Sequence, residues 1–528
     1  MATEPTQFTS RQRNDLRTQL HSALQNLKTD GATDNWSDVF VPASHLQALN
    51  PDRMVVEGMR GAGKSFWTGV LANPALLKAL SSQPLGTDLK DALHNLTHSY
   101  AIALDKPSES NFPSTNELPS LLNLPGVTPE IIWCTAILRL FEIDPSLGMP
   151  KSTDPYDLWS IPVAWAGENA GRVSRALELL DTRLTKNNET ALVVFDALDR
   201  ASHELTEVSR ITAGLLRVML NLRFAKGLRL KAFIREDVLA QAGASVVDGS
   251  KLLNSKVTLQ WSQADLYGLA FYRIAQNSPA FRNQFSRIVG NSWSLVDTRY
   301  QSEAAEDPEK QKLLWRSLVG NYMGNAATKG HSYPYIYNHL SDGLGRVAPR
   351  TFLTALRGAL DSAIRQYSEK PHVIYHDAIK DGVRDASTAR VTELSDEYKW
   401  IDPALGCIKE QQKTVPIDKI ELEKIWLKNN SSVLEAIEAM RDRALIPWRS
   451  GASDSERIEQ LRTTLEQIGI VKSRQRDGIE RIELPDIYRL AYKIGRHGGI
   501  PPQKKQRAFL TRWGFPGAHP PWNPRPAG

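Results

Sequence analysis

Apolar residues between about position 53 and position 261 follow two alternating patterns. Short, nearly continuous apolar runs, which are typical of buried strands, occur at Arg53–Glu57, Ser99–Leu104, Ala191–Phe195, Arg229–Ile234 and Lys256–Gln260. The stretches between them have helical periodicity, as in segment 203–225, where apolar residues recur at intervals of three and four. Strands that alternate with helices predict a parallel α/β sheet.

The pattern changes on either side of this region. A narrow stripe of four leucines from Leu16 to Leu27 predicts an N-terminal helix that packs on a larger body. Pro107–Pro129 is rich in Pro, Ser and Asn and predicts a loop. From about residue 262 to residue 400 the pattern is helical, without a clear strand. Two strand-like pieces then flank Arg476–Gly478, whose sequence RDG is a hairpin signal.

Composition excludes several classes of protein. Hydrophobic residues make up 41% and charged residues 23% of the chain, as in ordinary globular proteins. No apolar run approaches the roughly 20 residues of a membrane helix, and the N-terminus lacks the apolar segment of a secretory signal. Cys134 and Cys407 are too few for a disulfide framework or a four-cysteine zinc site. We therefore expect a cytoplasmic protein without membrane contact.

The net charge of +6 is concentrated at the C-terminal end. From Ala491 onward there are seven basic residues and no acidic residue. Setting these seven aside from the 65 basic residues of the chain leaves 58, against 59 acidic residues. Such a tail could contact the phosphate backbone of a nucleic acid, or it could simply be solvated.

A glycine-rich loop follows the first predicted strand. Its sequence, GMRGAGKS, fits the spacing G-x-x-x-x-G-K-S/T between a strand and a helix. Glycines let backbone N–H groups approach a β-phosphate, and the N-terminus of the following helix attracts the anion. We predict an ATP site, and the residues expected to contact the nucleotide are Gly58, Arg60, Gly61, Ala62, Gly63, Lys64, Ser65 and Phe66.

An acidic residue follows the third predicted strand, where such a site needs a carboxylate. The run ALVVFD places Asp196 at the carboxyl edge of the sheet, where open α/β sheets bind ligands. We predict that Ser65 and Asp196 hold Mg²⁺ and that Lys64 contacts the β- and γ-phosphates. Asp199 could deprotonate the attacking water or cap the next helix. Arg200 could pair with either aspartate or reach the γ-phosphate of a neighbouring subunit.

Arg235 ends the fourth predicted strand. A cation at this edge could stabilise the charge that spreads over the γ-phosphate. Alternatively, Arg235 could form a surface ion pair with Glu236 or Asp237.

These motifs resemble one branch of the P-loop ATPases. The order and spacing of VVEGMRGAGKS, VVFDALDR, KAFIRED and LQWSQADLYGLAFYRI are similar to those of KAP/STAND-like ATPases, which are relatives of AAA+ and origin-recognition ATPases. The segment GRVAPRTFLTALRGALDSA resembles a lid helix that carries a sensor arginine, which implies that role for Arg350. The end of the chain resembles the winged helix of a poorly characterised family of bacterial P-loop ATPases. The resemblance spans about residues 40–500.

The resemblance implies an α/β fold with a P-loop NTPase parallel sheet core, an α-helical lid and a C-terminal winged-helix-like domain. The expected units are an N-terminal helical segment (1–40), the core (41–265), the lid (266–400), the winged-helix-like domain (401–500) and a basic, Pro-rich tail (501–528). The expected catalytic residues are Lys64, Asp196, Asp199, Arg235 and Arg350.

Two departures affect the expected activity. Ala197 stands where AAA+ proteins carry a catalytic glutamate, so rapid hydrolysis would require Asp199 to take over, and a slow ATP-gated switch fits as well as a motor. The expected recognition helix, SERIEQLRTTLEQIG, is mixed in charge, whereas a helix that reads DNA should be basic. The cations lie instead in the wing, at Lys472, Arg474 and Arg476, and in the tail.

Two functions are therefore expected as alternatives. The first is an ATP-hydrolysing switch that forms a homo-oligomer and acts on a protein effector or partner subunit; the resemblance implies a role in bacterial anti-phage defence. The second is an ATP-regulated DNA-binding protein of the replication or transposition type, which contacts DNA through the winged helix and the basic tail.

Overall fold

Five parallel strands form the central sheet in the computed structural model, in the order β2-β3-β4-β1-β5. The described residues are 8–25, 33–83, 85–104, 111–143, 147–152, 154, 157–202, 205–290, 293–296, 298–302, 305–427, 433–441, 446–448 and 450–496. The strands are β1 (Val55–Gly58), β2 (His98–Ala103), β3 (Ala191–Asp196), β4 (Leu228–Arg235) and β5 (Val257–Thr258). All five strand predictions are confirmed, with ends that differ by at most two residues.

The continuous apolar runs of the central strands follow from burial on both faces of the sheet. Every residue of β3 is buried, and side chains alternate between the faces of a strand. Leu192 and Val194 belong to one hydrophobic cluster, and Val193 and Phe195 to another. A strand buried on both sides has no polar face, which is why its sequence is apolar throughout.

Helices and short 3-10 turns surround this sheet. The helices are Leu46–Leu49, Lys64–Ala72, Pro74–Ser81, Thr87–His94, Leu118–Leu122, Pro129–Leu140, Ser160–Glu168, Ala170–Lys186, Leu205–Asn221, Glu236–Ala244 and Ser250–Leu253. The 3-10 turns are Trp36–Asp38, Ala43–His45 and Leu198–Arg200. The expectation of a loop throughout Pro107–Pro129 is wrong in one part, because Leu118 and Leu121 are buried and anchor a short helix. Residues 105–110 lie outside the described part.

Six helices and one hairpin form the lid that follows the sheet. The helices are Gln263–Asn277, Pro279–Val289, Pro308–Val319, Tyr335–Leu340, Pro349–Arg365 and His376–Glu397, with a 3-10 turn at Ala327–Lys329. The last two are called the sensor helix (Pro349–Arg365) and the long lid helix (His376–Glu397). Strands β6 (Ser294–Val296) and β7 (Arg299–Gln301) pair antiparallel, so the expectation of a purely helical region is wrong here. Three-residue strands are too short to show a period of two.

The N-terminal helix, Ser10–Gln25, packs on the lid. Its Arg17 is buried, and the guanidinium donates to the backbone carbonyls of Ser368 (2.6 Å), His372 (2.7 Å) and Val373 (2.8 Å). A buried cation that satisfies several carbonyls fixes the helix in one position. Leu16, Leu20 and Leu24 of the predicted stripe are buried against the lid, and Leu27 lies outside the described residues.

The sensor helix and the long lid helix cross in close contact at two glycines. A Cβ on Gly382 would lie 2.1 Å from the carbonyl oxygen of Ala355, and a Cβ on Gly358 would lie 3.1 Å from the Cα of Gly382. Both obstacles are backbone atoms, which cannot rotate away. The close packing of the sensor helix on the long lid helix therefore depends on glycine at this crossing.

Gly382→Ala is expected to destabilise the protein by about 1–3 kcal/mol, because the helices must separate to make room for the methyl group. Gly406→Ala is the matched control, since a Cβ there meets nothing within 4 Å in the helix Ile401–Glu410. It should stabilise by about 0.5–1 kcal/mol through helix propensity. Thermal melting of the two variants checks this, and equal shifts in melting temperature would contradict it.

The C-terminal region combines short helices with a small sheet. The helices are Ile401–Glu410, Lys419–Leu427, Val433–Glu438, Asp454–Gln467 and Asp486–Arg489. The strands are β8 (Thr414–Val415), β9 (Ile417–Asp418), β10 (Lys472–Arg476), β11 (Ile479–Glu483) and β12 (Gly495–Arg496). Strands β10 and β11 form the predicted hairpin, in which Asp477 (φ 55°) and Gly478 (φ 76°) supply the two left-handed positions of a tight turn. This helix-and-wing arrangement confirms the predicted fold class; the basic tail after residue 496 lies outside the described residues.

One continuous hydrophobic core runs through the N-terminal helix, the lid and the C-terminal region. It includes Leu20, Phe352, Leu405, Trp426 and Ile482, and it is separate from the two clusters on the sheet. The lid and the C-terminal region are therefore packed as one body. Among the helices that the structure describes, none combines the length and the apolar character needed to cross a bilayer.

Candidate nucleotide-binding site

The loop after β1 has the backbone conformation that a phosphate cradle requires. Gly61 (φ 79°) and Gly63 (φ 101°) are left-handed, a conformation that side chains disfavour. Gly63 caps the helix Lys64–Ala72, called the P-loop helix, whose first N–H groups face the loop. Gly58 lies against β5, where a Cβ would come within 3.2 Å of the Cβ of Leu259. At each of these three positions, backbone conformation or close packing thus favours glycine over a residue with a side chain.

Lys64 is the cation of this cradle. Its amine donates to the carbonyl oxygens of Gly58 (2.9 Å) and Met59 (2.8 Å). Burial lowers the pKa of Lys64 to about 8, although Asp196 acts in the opposite direction. An anion in the cradle would compensate the enclosed ammonium group and favour its charged form.

Strand order brings three predicted site residues to one edge of the sheet. Since β4 lies between β3 and β1, Arg235 at the end of β4 stands between Asp196 and Gly58. Gly58 and Arg235 are in register, and Asp196 is only 2% exposed. The carboxyl ends of parallel strands form the usual ligand crevice of an open α/β sheet.

Arg235 forms an ion-pair cluster that is mostly shielded from solvent. Its guanidinium lies 2.6 Å from Asp237 and 3.2 Å from Asp199, and the side chain is 10% exposed. Burial opposes its charge, but Asp237 and Asp199 outweigh that effect and raise the pKa of Arg235. Of the expected alternative, the ion pair with Asp237 is present but is not at the surface, and Glu236 pairs with Arg346 instead.

Asp199 lies in the 3-10 turn Leu198–Arg200. The next helix begins at Leu205, so Asp199 does not cap it. Ala197, which precedes the turn, has the left-handed φ of 56° and directs the chain from β3 into the cavity wall. The side chain of Arg200 is exposed and lines the same cavity as Asp199.

The lid closes the other side of a cavity of about 440 Å³. Arg350, in the first turn of the sensor helix, lines this cavity and lies 3.5 Å from Glu393. The indole of Trp261 donates to the carbonyl oxygen of Ala62 (2.7 Å), which ties the start of the lid to the phosphate loop. The predicted site residues that line the cavity are Arg60, Gly61, Gly63, Lys64, Ser65, Phe66, Asp196, Asp199, Arg235 and Arg350. Gly58 and Ala62 lie behind it, in the loop.

Residues outside the motifs complete the cavity at its far end. Asp38, from the first 3-10 turn, pairs with Arg273 of the first lid helix (2.6 Å), and both line the cavity with Phe40 and Leu269. Asp38 and Arg273 are 235 residues apart in sequence. No local pattern marks either residue, so sequence reasoning misses them.

A buried histidine links the phosphate loop to the lid. The Trp67 indole donates to Nδ1 of His45 (3.0 Å), while Nε2 lies 3.0 Å from the carbonyl oxygen of Gln260. The His45 ring also meets the ring of Trp261 edge-on at 4.5 Å. These contacts need neutral imidazole, with the proton on Nε2, because Nδ1 accepts a hydrogen bond. Burial accordingly lowers the pKa of His45 to about 4.

Acidification is expected to destabilise the protein through His45. Its pKa of about 4 when folded lies below the ordinary value of 6.5, so its contribution is complete above pH 6.5 and is lost as pH falls toward 4. The full loss is about 3 kcal/mol. Urea unfolding of wild type and His45→Gln across this range measures it, because Gln cannot titrate. Parallel pH profiles for the two proteins would contradict the expectation.

The residues present fit a magnesium nucleotide rather than a metal ion alone. Within the described residues there is no group of three or more His, Cys, Asp or Glu that could hold a metal. Ser65 is the second residue of the P-loop helix and has an exposed side chain, and Asp196 offers a buried carboxylate at the same cavity. Mg²⁺ prefers one or two such oxygens together with phosphate oxygens and water. These two residues would hold it.

Comparison with known proteins yields structural matches only. No protein-family model matches the chain, and no curated protein matches it significantly. Among solved structures, the ORC2 protein of Aeropyrum pernix in its ADPNP and ADP complexes matches with 12% identity, 89% of this chain, 95% of that chain and a TM-score of 0.36. Its ADP form matches with 12% identity, 93% and 97% coverage and a TM-score of 0.29. The fold class rests on the sheet order and loop geometry described above.

Proposed function

We propose that the protein is an Mg²⁺-dependent ATPase that acts as a slow molecular switch. The observation that carries the proposal is the single cavity in which the phosphate loop, Asp196, Arg235 and the lid residue Arg350 meet. A cavity lined by both the sheet core and the lid can respond to the γ-phosphate, because closure of the lid on the core depends on the nucleotide that lies between them.

The chemistry follows from the charges around the cavity. Water attacks the γ-phosphorus, the bond to the β-phosphate oxygen breaks, and ADP and phosphate leave. Lys64, Arg235 and Arg350 would stabilise the negative charge on the phosphates, and Asp199 would accept the proton of the water. Mg²⁺, when bound, would neutralise phosphate charge. Ala197 offers no carboxylate at the usual position, which supports a low rate.

We further propose how the bodies act. The core (41–265) binds the nucleotide, and the lid (266–400) moves with the winged-helix-like domain (401–500), as their shared hydrophobic core supports. Exposed Arg200 at the cavity rim suits a homo-oligomer in which one copy reaches the nucleotide of the next. The motif resemblance to KAP/STAND-like ATPases supports a bacterial protein that acts with an effector in anti-phage defence.

A cytoplasmic location is part of the proposal. Cys134 and Cys407 are both free and buried, and burial raises the pKa of each thiol to about 12. Buried, protonated thiols suit a reducing compartment.

Purified protein tests the main proposal directly. Wild type should bind a non-hydrolysable ATP analogue in calorimetry, release phosphate from ATP only with Mg²⁺, and show nucleotide-dependent mass by size exclusion with light scattering. Absence of binding at millimolar analogue would reject an ATP site. Binding without phosphate release would reject hydrolysis but keep a nucleotide-gated switch.

A DNA-binding function is the second candidate, favoured by the exposed strand β10. It presents Lys472, Arg474 and Arg476 beside the hairpin turn. The helix Asp454–Gln467 instead holds Arg462 between two glutamates, which leaves it poorly suited to base reading. Contacts would therefore be to phosphates. Anisotropy on duplex DNA at two salt concentrations decides: phosphate binding must weaken as salt rises.

A further inference from the structure

The C-terminal end of the long lid helix reaches the ion-pair cluster of Arg235. Tyr398, which caps this helix, is 5% exposed. Its hydroxyl accepts a hydrogen bond from Arg235 and donates one to Asp237 (2.8 Å). The Arg235 guanidinium carbon lies 5.5 Å from the centroid of the tyrosine ring, which also packs against Trp400 at 5.7 Å.

These contacts fix how the guanidinium of Arg235 is turned. Asp237 accepts from two of its nitrogens, Nε (3.1 Å) and Nη2 (2.6 Å), and Tyr398 contacts the same Nη2. The other terminal nitrogen, Nη1, then faces Asp199 at 3.2 Å. A guanidinium is planar, so holding one side of the fork sets the direction of the other. The lid thus contacts the same guanidinium that binds Asp199.

The adjacent residue engages the lid as well. Glu236 pairs with Arg346, which also binds Asp342 at 2.9 Å. Beside Asp342, the N–H of Gly343 donates to the carbonyl oxygen of Gly469, at 2.6 Å, in the C-terminal region. The first turn of the helix Glu236–Ala244 is therefore joined to the lid at two points, Glu236 and Asp237, and the lid is also joined to the C-terminal region.

We propose that Tyr398 is a positioning residue that aligns Arg235 toward Asp199 only while the lid is docked. The inference rests on the proposed ATPase function and names its regulation: a displaced lid withdraws the hydroxyl from both Arg235 and Asp237, the guanidinium then keeps Asp237 as its partner on that side but is held less firmly, and turnover falls. Asp237 is the core-side partner in this arrangement. ATP turnover is thereby linked to the position of the lid and the C-terminal region.

Tyr398→Phe tests the proposal because it keeps the ring and removes the hydroxyl. We expect kcat to fall about tenfold with the KM for ATP within about twofold, as for a lost charge-assisted hydrogen bond that acts on the reacting state. Adding Asp237→Asn should cause little further loss, since the two groups orient the same guanidinium. Tyr492→Phe is the matched control: its hydroxyl binds Asp402 at 2.6 Å, away from the cavity, and its kinetics should equal wild type.

Several outcomes would overturn the proposal while leaving ATPase function intact: unchanged kcat in Tyr398→Phe, an equal loss in Tyr492→Phe, or losses that simply add with Asp237→Asn. If wild type binds nucleotide without hydrolysis, the affinity ratio of a non-hydrolysable ATP analogue to ADP decides instead. Tyr398→Phe should lower that ratio, and an unchanged ratio overturns the inference. A wild type that binds no nucleotide rejects both proposals.

Discussion

Lys64→Ala is expected to lower ATP turnover about 10²-fold or more, the largest loss from any single change in the cradle. The Lys64 amine is held by two loop carbonyls and is enclosed between the strand ends of β1, β3 and β4. Its charge would face the bond that breaks, so the loss should be greater in kcat/KM than in analogue binding. Phosphate release and calorimetry on the same preparation measure both.

Lys78→Ala is the control for this variant. Lys78 is an exposed lysine on the next helix, Pro74–Ser81. The variant therefore removes the same kind of side chain at a position that does not line the cavity. Its turnover should match wild type. Equal turnover in Lys64→Ala and wild type would show that the loop does not bind the reacting phosphates, whatever its backbone geometry.

Asp199→Asn is expected to lower kcat about 10²-fold or more while ATP binding changes little, because an amide cannot accept the proton of the attacking water. Asp199 does not act as a helix cap, since the next helix starts at Leu205. Single-turnover phosphate release measures the chemical step. Asp52→Asn is the matched control: Asp52 pairs with Arg229 at 3.0 Å, at the opposite end of β4.

A second variant separates the two remaining roles of Asp199. If it acts only by holding Arg235, Asp199→Asn should add no loss to an Arg235→Lys protein. If it accepts the proton, the further loss should persist in that background. Wild-type kcat in Asp199→Asn alone would contradict both roles and point to a base elsewhere in the cavity.

Part of the site can be predicted from local sequence. The loop Gly58–Ser65 and the carboxylate Asp196 are recognisable because phosphate binding needs particular residues at short, set intervals, each next to a strand that is apolar throughout. The five strands follow from the same apolar runs. The wing hairpin follows from Asp477 and Gly478, two residues that tolerate left-handed backbone.

Other features depend on tertiary arrangement and have no local signal. The order of strands places β4 between β1 and β3, and only that order brings Arg235 beside Asp196. Asp38, His45 and Tyr398 join the site from distant parts of the chain, through long-range contacts that their neighbours in the sequence do not indicate. The hairpin of β6 and β7 is too short to produce a periodic pattern.

Packing of the N-terminal helix on the lid has a consequence for biosynthesis. Arg17 donates to Val373, a residue made 356 positions later. At the usual translation rate of 5–20 residues per second, that interval is roughly 20 to 70 s. All five strands of the sheet are synthesised before the sensor helix and the long lid helix, so the sheet can assemble first. Among the helices that the structure describes, Ser10–Gln25 is synthesised first, yet its Arg17 can reach the carbonyl of Val373 only after most of the lid has been made.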